Sequence, residues 1–167
     1  MPSQPEVWLR GPIPGIIPAL QPVAHALMQV AEDLPRLLDE LTEEQVWAQP
    51  GRSAPIGFHL VHLAGSLSRL VSYAKGESLS ADQRNAFLAE QRAAEERRPL
   101  SDLRHLVTST LDLGVSELRL FTAEQLLETR EVGRARLPST TLGLLFHAAE
   151  HTARHAGQIQ TLARVLR

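Results

Sequence analysis

His147-Ala148-Ala149-Glu150-His151-Thr152-Ala153-Arg154-His155-Ala156-Gly157-Gln158, near the end of the chain, is the stretch from which the rest is read. It sits inside an apolar pattern of Leu142, Leu145, Phe146, Ala149, Ile159, Leu162, Val165 and Leu166 at helical spacing. The pattern predicts a last helix capped by Ser139 and running to the C-terminus. Each step of four residues on a helix turns by only about 40°, so His147, His151 and His155 share one stripe. Neighbours at i and i+4 have Cβ atoms about 6 Å apart. That span lets two imidazoles meet one ion at metal–nitrogen bonds of about 2.0–2.1 Å. Two readings fit the stripe: a metal site, or a polar bundle interior lined by neutral imidazoles.

A second histidine pair lies upstream. The spacing predicts a helix from Ile56 to Lys75 that carries Phe58, His59, His62, Leu63, Ser66 and Leu70, with Gly76 as its C′ residue. His59 and His62 stand at i and i+3 among strongly apolar neighbours. A buried imidazole needs a bonding partner, and either a metal ion or a backbone carbonyl meets that need.

The remaining elements follow from periodicity and caps. A first helix spans Pro22 to about Leu41, and Pro35 is expected to kink or split it. Thr42-Glu43-Glu44-Gln45 and Ser80-Ala81-Asp82-Gln83 have the form of capping boxes. They open a short helix with Val46 and Trp47, and a polar helix through about Arg92. Glu95 to Pro99 reads as a charged, solvated break. Ser101 is expected to cap a third long helix that runs to about Leu120, with Gly114 permitting a close contact. Thr122 to Gln125 predicts a short turn. Glu128 to Pro138 is loop-like, with Arg130 to Val132 able to pair as a strand. Residues 1–18 contain Pro2, Pro5, Pro12, Pro14 and Pro18 with Gly11 and Gly15, and predict an extended arm anchored by Trp8. The expected fold is therefore all-α: one domain over 1–167, a four-helix bundle with a Pro-rich arm and short extra helices.

Composition narrows the function. Hydrophobic residues make up 43% of 167, which is enough for a core, and aromatics only 4%, so that core is built from Leu, Val, Ile and Ala. The 17 basic and 19 acidic residues nearly cancel, so no nucleic-acid partner or anionic membrane surface is indicated. The absence of cysteine excludes disulfides, thiolate metal sites and Cys nucleophiles. The start of the chain has no signal-peptide pattern and no apolar run reaches about 18 residues; the expected compartment is the cytoplasm. No GxSxG, P-loop or HExxH competes with the histidines.

His151-Thr152-Ala153-Arg154-His155-Ala156-Gly157-Gln158 resembles the HxxxHxGQ signature of the DinB/YfiT-like superfamily. Gly57-Phe58-His59-Leu60-Val61-His62-Leu63 resembles its helix-two histidine motif. Trp8-Leu9-Arg10-Gly11-Pro12 and Arg69-Leu70-Val71-Ser72-Tyr73-Ala74 with Gly76 are similar to one of its branches. The resemblance implies an up-down-down-up bundle, a homodimer, and a divalent metal held by His62, His151 and His155. Zinc or nickel is the first choice, with manganese or iron as further candidates. His147 and His59 become additional residues: second-layer partners, alternative ligands, or an acid/base group. Gln158 either orients a ligand or caps a neighbouring backbone group from a buried position. Glu150 projects about 100° from His151 and reads as a solvated or interhelical charge.

Three neutral ligands leave an ion with open positions, the arrangement of catalytic sites. Such an ion lowers the pKa of bound water to about 7 or deprotonates a thiol. The resemblance extends to transferases that use low-molecular-weight thiols such as mycothiol or bacillithiol. The expectation is a metal-dependent thiol transferase or hydrolase with a small-molecule substrate. The alternative is a non-catalytic metal-binding protein, or a stress-related structural or regulatory one.

Overall fold

Four long helices take up the apolar faces that the sequence marks out: α1 (Gln21–Leu38), α3 (Ile56–Ala74), α6 (Leu100–Glu117) and α7 (Thr141–Val165). Three short helices fill the connections: α2 (Glu43–Trp47), α4 (Ala81–Glu90) and α5 (Ala93–Glu96). A two-stranded antiparallel hairpin, β1 (Thr129–Val132) with β2 (Leu137–Thr140), precedes α7. This computed structural model describes residues 4–167; the first proline of the expected arm, Pro2, lies outside the described residues.

The helices bury the predicted stripes. Val23, Leu27, Val30, Leu34 and Leu38 of α1 face Leu60, Leu63, Leu67, Leu103, Leu111, Leu145 and Ile159 in one continuous core. Within the bundle α1 packs on α6 and α7, and α3 packs on the same two.

Contacts at the helix ends fix the directions. Arg104, early in α6, bonds Leu38 O at the end of α1, so α1 and α6 run in opposite senses. Trp47, just before α3, donates its indole N–H to Arg98 O just before α6, at 3.1 Å. Lys75 and Glu117 pair at 3.0 Å where both helices finish. Hence α3 and α6 are parallel. Thr141 Oγ1, opening α7, lies 3.3 Å from Ala74 O at the end of α3, so those two are antiparallel. The order is up-down-down-up. Two parallel helices need a connection that travels the length of the bundle, and residues 75–99, with α4 and α5, are that crossover.

Close approach governs two packing points. A Cβ on Gly114 would come within 3.1 Å of Leu67 Cδ2, so Gly114 sets the contact between α6 and α3 as expected. A Cβ on Gly57 would stand 2.5 Å from Trp47 Cη2, so the indole rests directly on the α3 backbone.

Several local expectations change. Both capping boxes form, with Thr42 Oγ1 and Ser80 Oγ accepting from Gln45 N and Gln83 N. Pro35 does not split α1; it lies in the last turn, and the helix ends at Leu38 instead of Leu41. Ser101 is not the cap of α6. The helix starts at Leu100, whose N–H is taken by Glu43 Oε1 at 2.8 Å, so a carboxylate from α2 does the work of a local cap. Ser139 yields to Thr140, whose Oγ1 accepts from Gly143 N at 3.0 Å. The charged break expected at Glu95 to Pro99 overlaps a helical turn, α5, closed by Arg97 in the left-handed region. The arm is not fully extended: it makes 3-10 turns at Val7–Leu9 and Pro18–Leu20. Its anchor is Val7, which is buried and donates its N–H to Gln29 Oε1 at 2.9 Å. Trp8 points outward, 61% exposed. No helix among the described residues is long and apolar enough to cross a membrane.

Trp47 is the plug between α2, α3 and the crossover. Trp47→Ala is expected to cost about 3–5 kcal/mol of stability, the range for deleting a buried aromatic side chain. A urea denaturation curve checks this; an unchanged midpoint contradicts the packing described.

Candidate metal centre

The antiparallel pairing of α3 and α7 brings the two histidine motifs face to face. One ligating nitrogen from each of His62, His151 and His155 lies within 4.8 Å of the others. His62 Nε2 and His151 Nε2 are 3.0 Å apart. The ring of His155 lies 4.5 Å from that of His151 and 4.7 Å from that of His62, centroid to centroid. These are the three positions that the resemblance pointed to.

The other two candidates stand beside this set, not in it. His59 is buried, and its Nδ1 lies 3.0 Å from His155 Nδ1. One of the two rings therefore donates to the other, and His155 has the lone pair on Nε2 in the tautomer in which its own Nδ1–H is the donor. His147 is at the exposed end of the stripe, with its ring 5.4 Å from that of His151 and its Nδ1 3.5 Å from Glu150 Oε2. The stripe thus runs from buried His155, through half-buried His151, to exposed His147, so the site opens toward solvent along α7.

Gln158 is exposed. The reading of a buried amide that caps a neighbouring backbone group is corrected. The buried row of α7 continues through His155, Ile159 and Ala163, and Gln158 is turned about 100° from Ile159. Glu150 is a half-exposed charge paired with Arg154 one turn on. Its hydrogen bond from Arg154 holds its carboxyl below the usual range, aided by the charges of Arg154 and nearby histidines.

Burial shapes the titration of the rings. Desolvation first, then the neighbouring imidazoles, lower the pKa values of His59, His151 and His155, and that of His155 is pushed down to about 4. The rings are therefore neutral at physiological pH, which is the protonation state that metal ligation needs. Phe58 stacks on His62 with the rings 5° from parallel, covering one face of that imidazole.

The residue that sequence reasoning missed is Glu90. Its side chain is only 4% exposed, and its Oε2 lies 3.0 Å from His62 Nδ1. Arg69 grips both oxygens of the same carboxylate, with Nη2 3.1 Å from Oε2. A Cβ on Gly65 would fall 2.9 Å from Glu90 Cδ and nearer still to Oε1, so the carboxylate occupies a notch that only glycine leaves in α3. Nothing in the sequence marked Glu90 as buried, because α4 has no apolar stripe.

The donor set suits a divalent metal. It consists of three imidazoles, and a carboxylate lies on the far nitrogen of one of them, the arrangement that orients zinc-binding histidines. His151 Nδ1 and Thr152 Oγ1 are buried without a hydrogen-bond partner among the described residues. His151, one of the three, therefore keeps one ring nitrogen with unmet bonding capacity, while its other nitrogen faces His62.

A helical bundle with inward histidines from facing helices defines a class of proteins that build metal sites in their cores. Within that class the chain belongs to the DinB superfamily, whose family model matches residues 26–159. The match takes in all five histidines of the site region and Glu90. No curated protein matches the chain.

The lowered pKa values carry a consequence for the metal-free protein. Its unfolded state binds protons at these histidines from their ordinary value of 6.5 downward, whereas the folded state resists until His155 reaches about 4. Stability is therefore full above that ordinary value and is lost as pH falls through this window. Thermal melts of the metal-free protein should show the decline between pH 6.5 and about 4. The slope should flatten in His155→Phe, and an equal slope in that variant contradicts the assignment.

Proposed function

We propose that this protein is a metal-dependent enzyme that holds one divalent ion, zinc or nickel, on His62, His151 and His155 and activates a small thiol or water. The observation that carries the reading is the convergence of three imidazole nitrogens within 4.8 Å on the solvent-facing side of a bundle core. An ion bound by three neutral donors keeps its full charge and an open position, and so acidifies a bound thiol or water near neutral pH.

The chain's own residues supply the rest. His59 holds His155 through the Nδ1 contact, and the apolar walls of α3 keep both rings out of bulk water. Phe58 limits access to one face of His62. His147, exposed beside His151, is placed to take or return a proton at the mouth of the site. The thiol reading comes first. The chain has no cysteine of its own to compete for the ion, and the superfamily resemblance extends to transferases that borrow a small thiol. The proposed substrate is an electrophile that accepts sulfur from such a thiol; in the hydrolase form it accepts oxygen from water.

Protein purified without a polyhistidine tag should contain close to one equivalent of metal per chain, or take it up on dialysis, by elemental analysis. His151→Ala and His155→Ala should each reduce uptake to background and abolish turnover in a screen of thiols against electrophiles. Turnover that survives His155→Ala contradicts the mechanism, and a wild-type chain that takes up no zinc, nickel or manganese removes its basis.

A further inference from the structure

The crossover helix α4 is polar, and among the described residues its one buried member is Glu90. Phe87 and Leu88 are 45% and 59% exposed. What docks α4 on α3 is a set of polar contacts. Gln83 Nε2 reaches Ser72 Oγ at 2.8 Å and Ser68 Oγ at 3.0 Å. Phe87 lies over the Arg69 guanidinium at 4.8 Å. Glu90 enters the notch at Gly65 to meet Arg69 and His62. Arg69 alone would satisfy the carboxylate's charge, so the third contact, onto a ring nitrogen of a candidate ligand, is the one that calls for an explanation.

We infer that Glu90 is the positioning residue of the metal centre: it fixes His62 with the proton on Nδ1 and the lone pair on Nε2, and thereby couples metal binding to the docking of α4. A carboxylate only accepts, so Nδ1–H donates to it, and Nε2 is then the one nitrogen of the ring that can offer a lone pair to a metal. That nitrogen is the one 3.0 Å from His151. A cation on Nε2 draws electron density from the ring and makes Nδ1–H a stronger donor, which tightens the bond to Glu90. Linkage requires the reverse effect of equal size: a docked Glu90 raises metal affinity by the factor by which metal favours docking. The inference rests on the three-histidine reading and adds to it a second layer and a moving part.

The test uses the full chain and Zn²⁺. Zinc affinity is measured by chelator competition, α4 docking by hydrogen exchange over Ala81–Glu90, and the His62 tautomer by ¹⁵N NMR. In the wild type, His62 should show Nδ1–H, and Zn²⁺ should slow exchange in α4. Glu90→Ala should weaken Zn²⁺ binding about 10- to 100-fold, the range for losing such a partner, and should abolish the zinc-dependent protection. Glu90→Ala also strands Arg69, so Gly65→Ala is the second arm. It favours helix in α3 but fills the notch, and it should weaken zinc binding in a protein that remains folded by circular dichroism. Glu90→Gln keeps an acceptor without the charge and should restore part of the affinity. Wild-type zinc affinity in both Glu90→Ala and Gly65→Ala overturns the inference and leaves the three-histidine reading intact. Exchange in α4 that ignores Zn²⁺ overturns the coupling. A wild-type chain that binds no Zn²⁺ fails at the earlier step and takes the inference with it.

Discussion

A buried imidazole has two nitrogens, and each that is shielded from water must find a partner or cost free energy. This chain gathers buried His59 and His155 and half-buried His62 and His151 beside a core made mostly of Leu, Val, Ile and Ala. The protein answers part of the demand itself: His59 meets His155, Glu90 meets His62, and His62 meets His151. It leaves His151 Nδ1 without a partner. A divalent cation would bind the converging lone pairs that carry no proton. The lowered proton affinity of the buried rings serves the same end by keeping those lone pairs free.

The topology follows from this demand as much as from hydrophobic burial. To face His59 and His62 with His155 and His151, α3 and α7 must run antiparallel and in contact. With α3 and α6 parallel, the chain must cross the bundle between them. That crossover lays α4 along α3, close enough for Glu90 to reach the notch at Gly65. The connection thus delivers a charged group to the Nδ1 side of His62. The α4 segment holds by hydrogen bonds and one ion pair, not by an apolar face, so its docking is sensitive to the state of His62.

Much of this was legible in the sequence, for identifiable reasons. The four long helices were written in apolar residues at helical spacing, and their burial is an average over many residues. The two capping boxes were readable because each is closed by residues three apart. The stripe of His147, His151 and His155 was visible because a helix converts sequence spacing into a face. Where a terminus is satisfied from far away, as at Leu100 by Glu43, local reading chose the wrong cap. Pro35 predicts a kink or a split, but it falls in the last turn, where it does not divide the helix. The arm's composition points to Trp8 as its anchor, but the 3-10 turn puts Val7 inside. Glu90 was invisible, because its burial depends on a glycine 25 positions upstream in another helix and on Arg69 beside it. Gln158 shared the signature with the ligands but falls off the buried row.

The central claim is that His62, His151 and His155 together hold one ion with an open position. Crystals of the protein soaked in zinc, with anomalous data collected on both sides of the zinc absorption edge, test it directly. The account predicts one strong peak per chain, within about 2.0–2.1 Å of one nitrogen from each of the three rings, with no fourth protein ligand. An ion bound elsewhere on the chain, or one at the cluster closed off by His59 or His147, would contradict it.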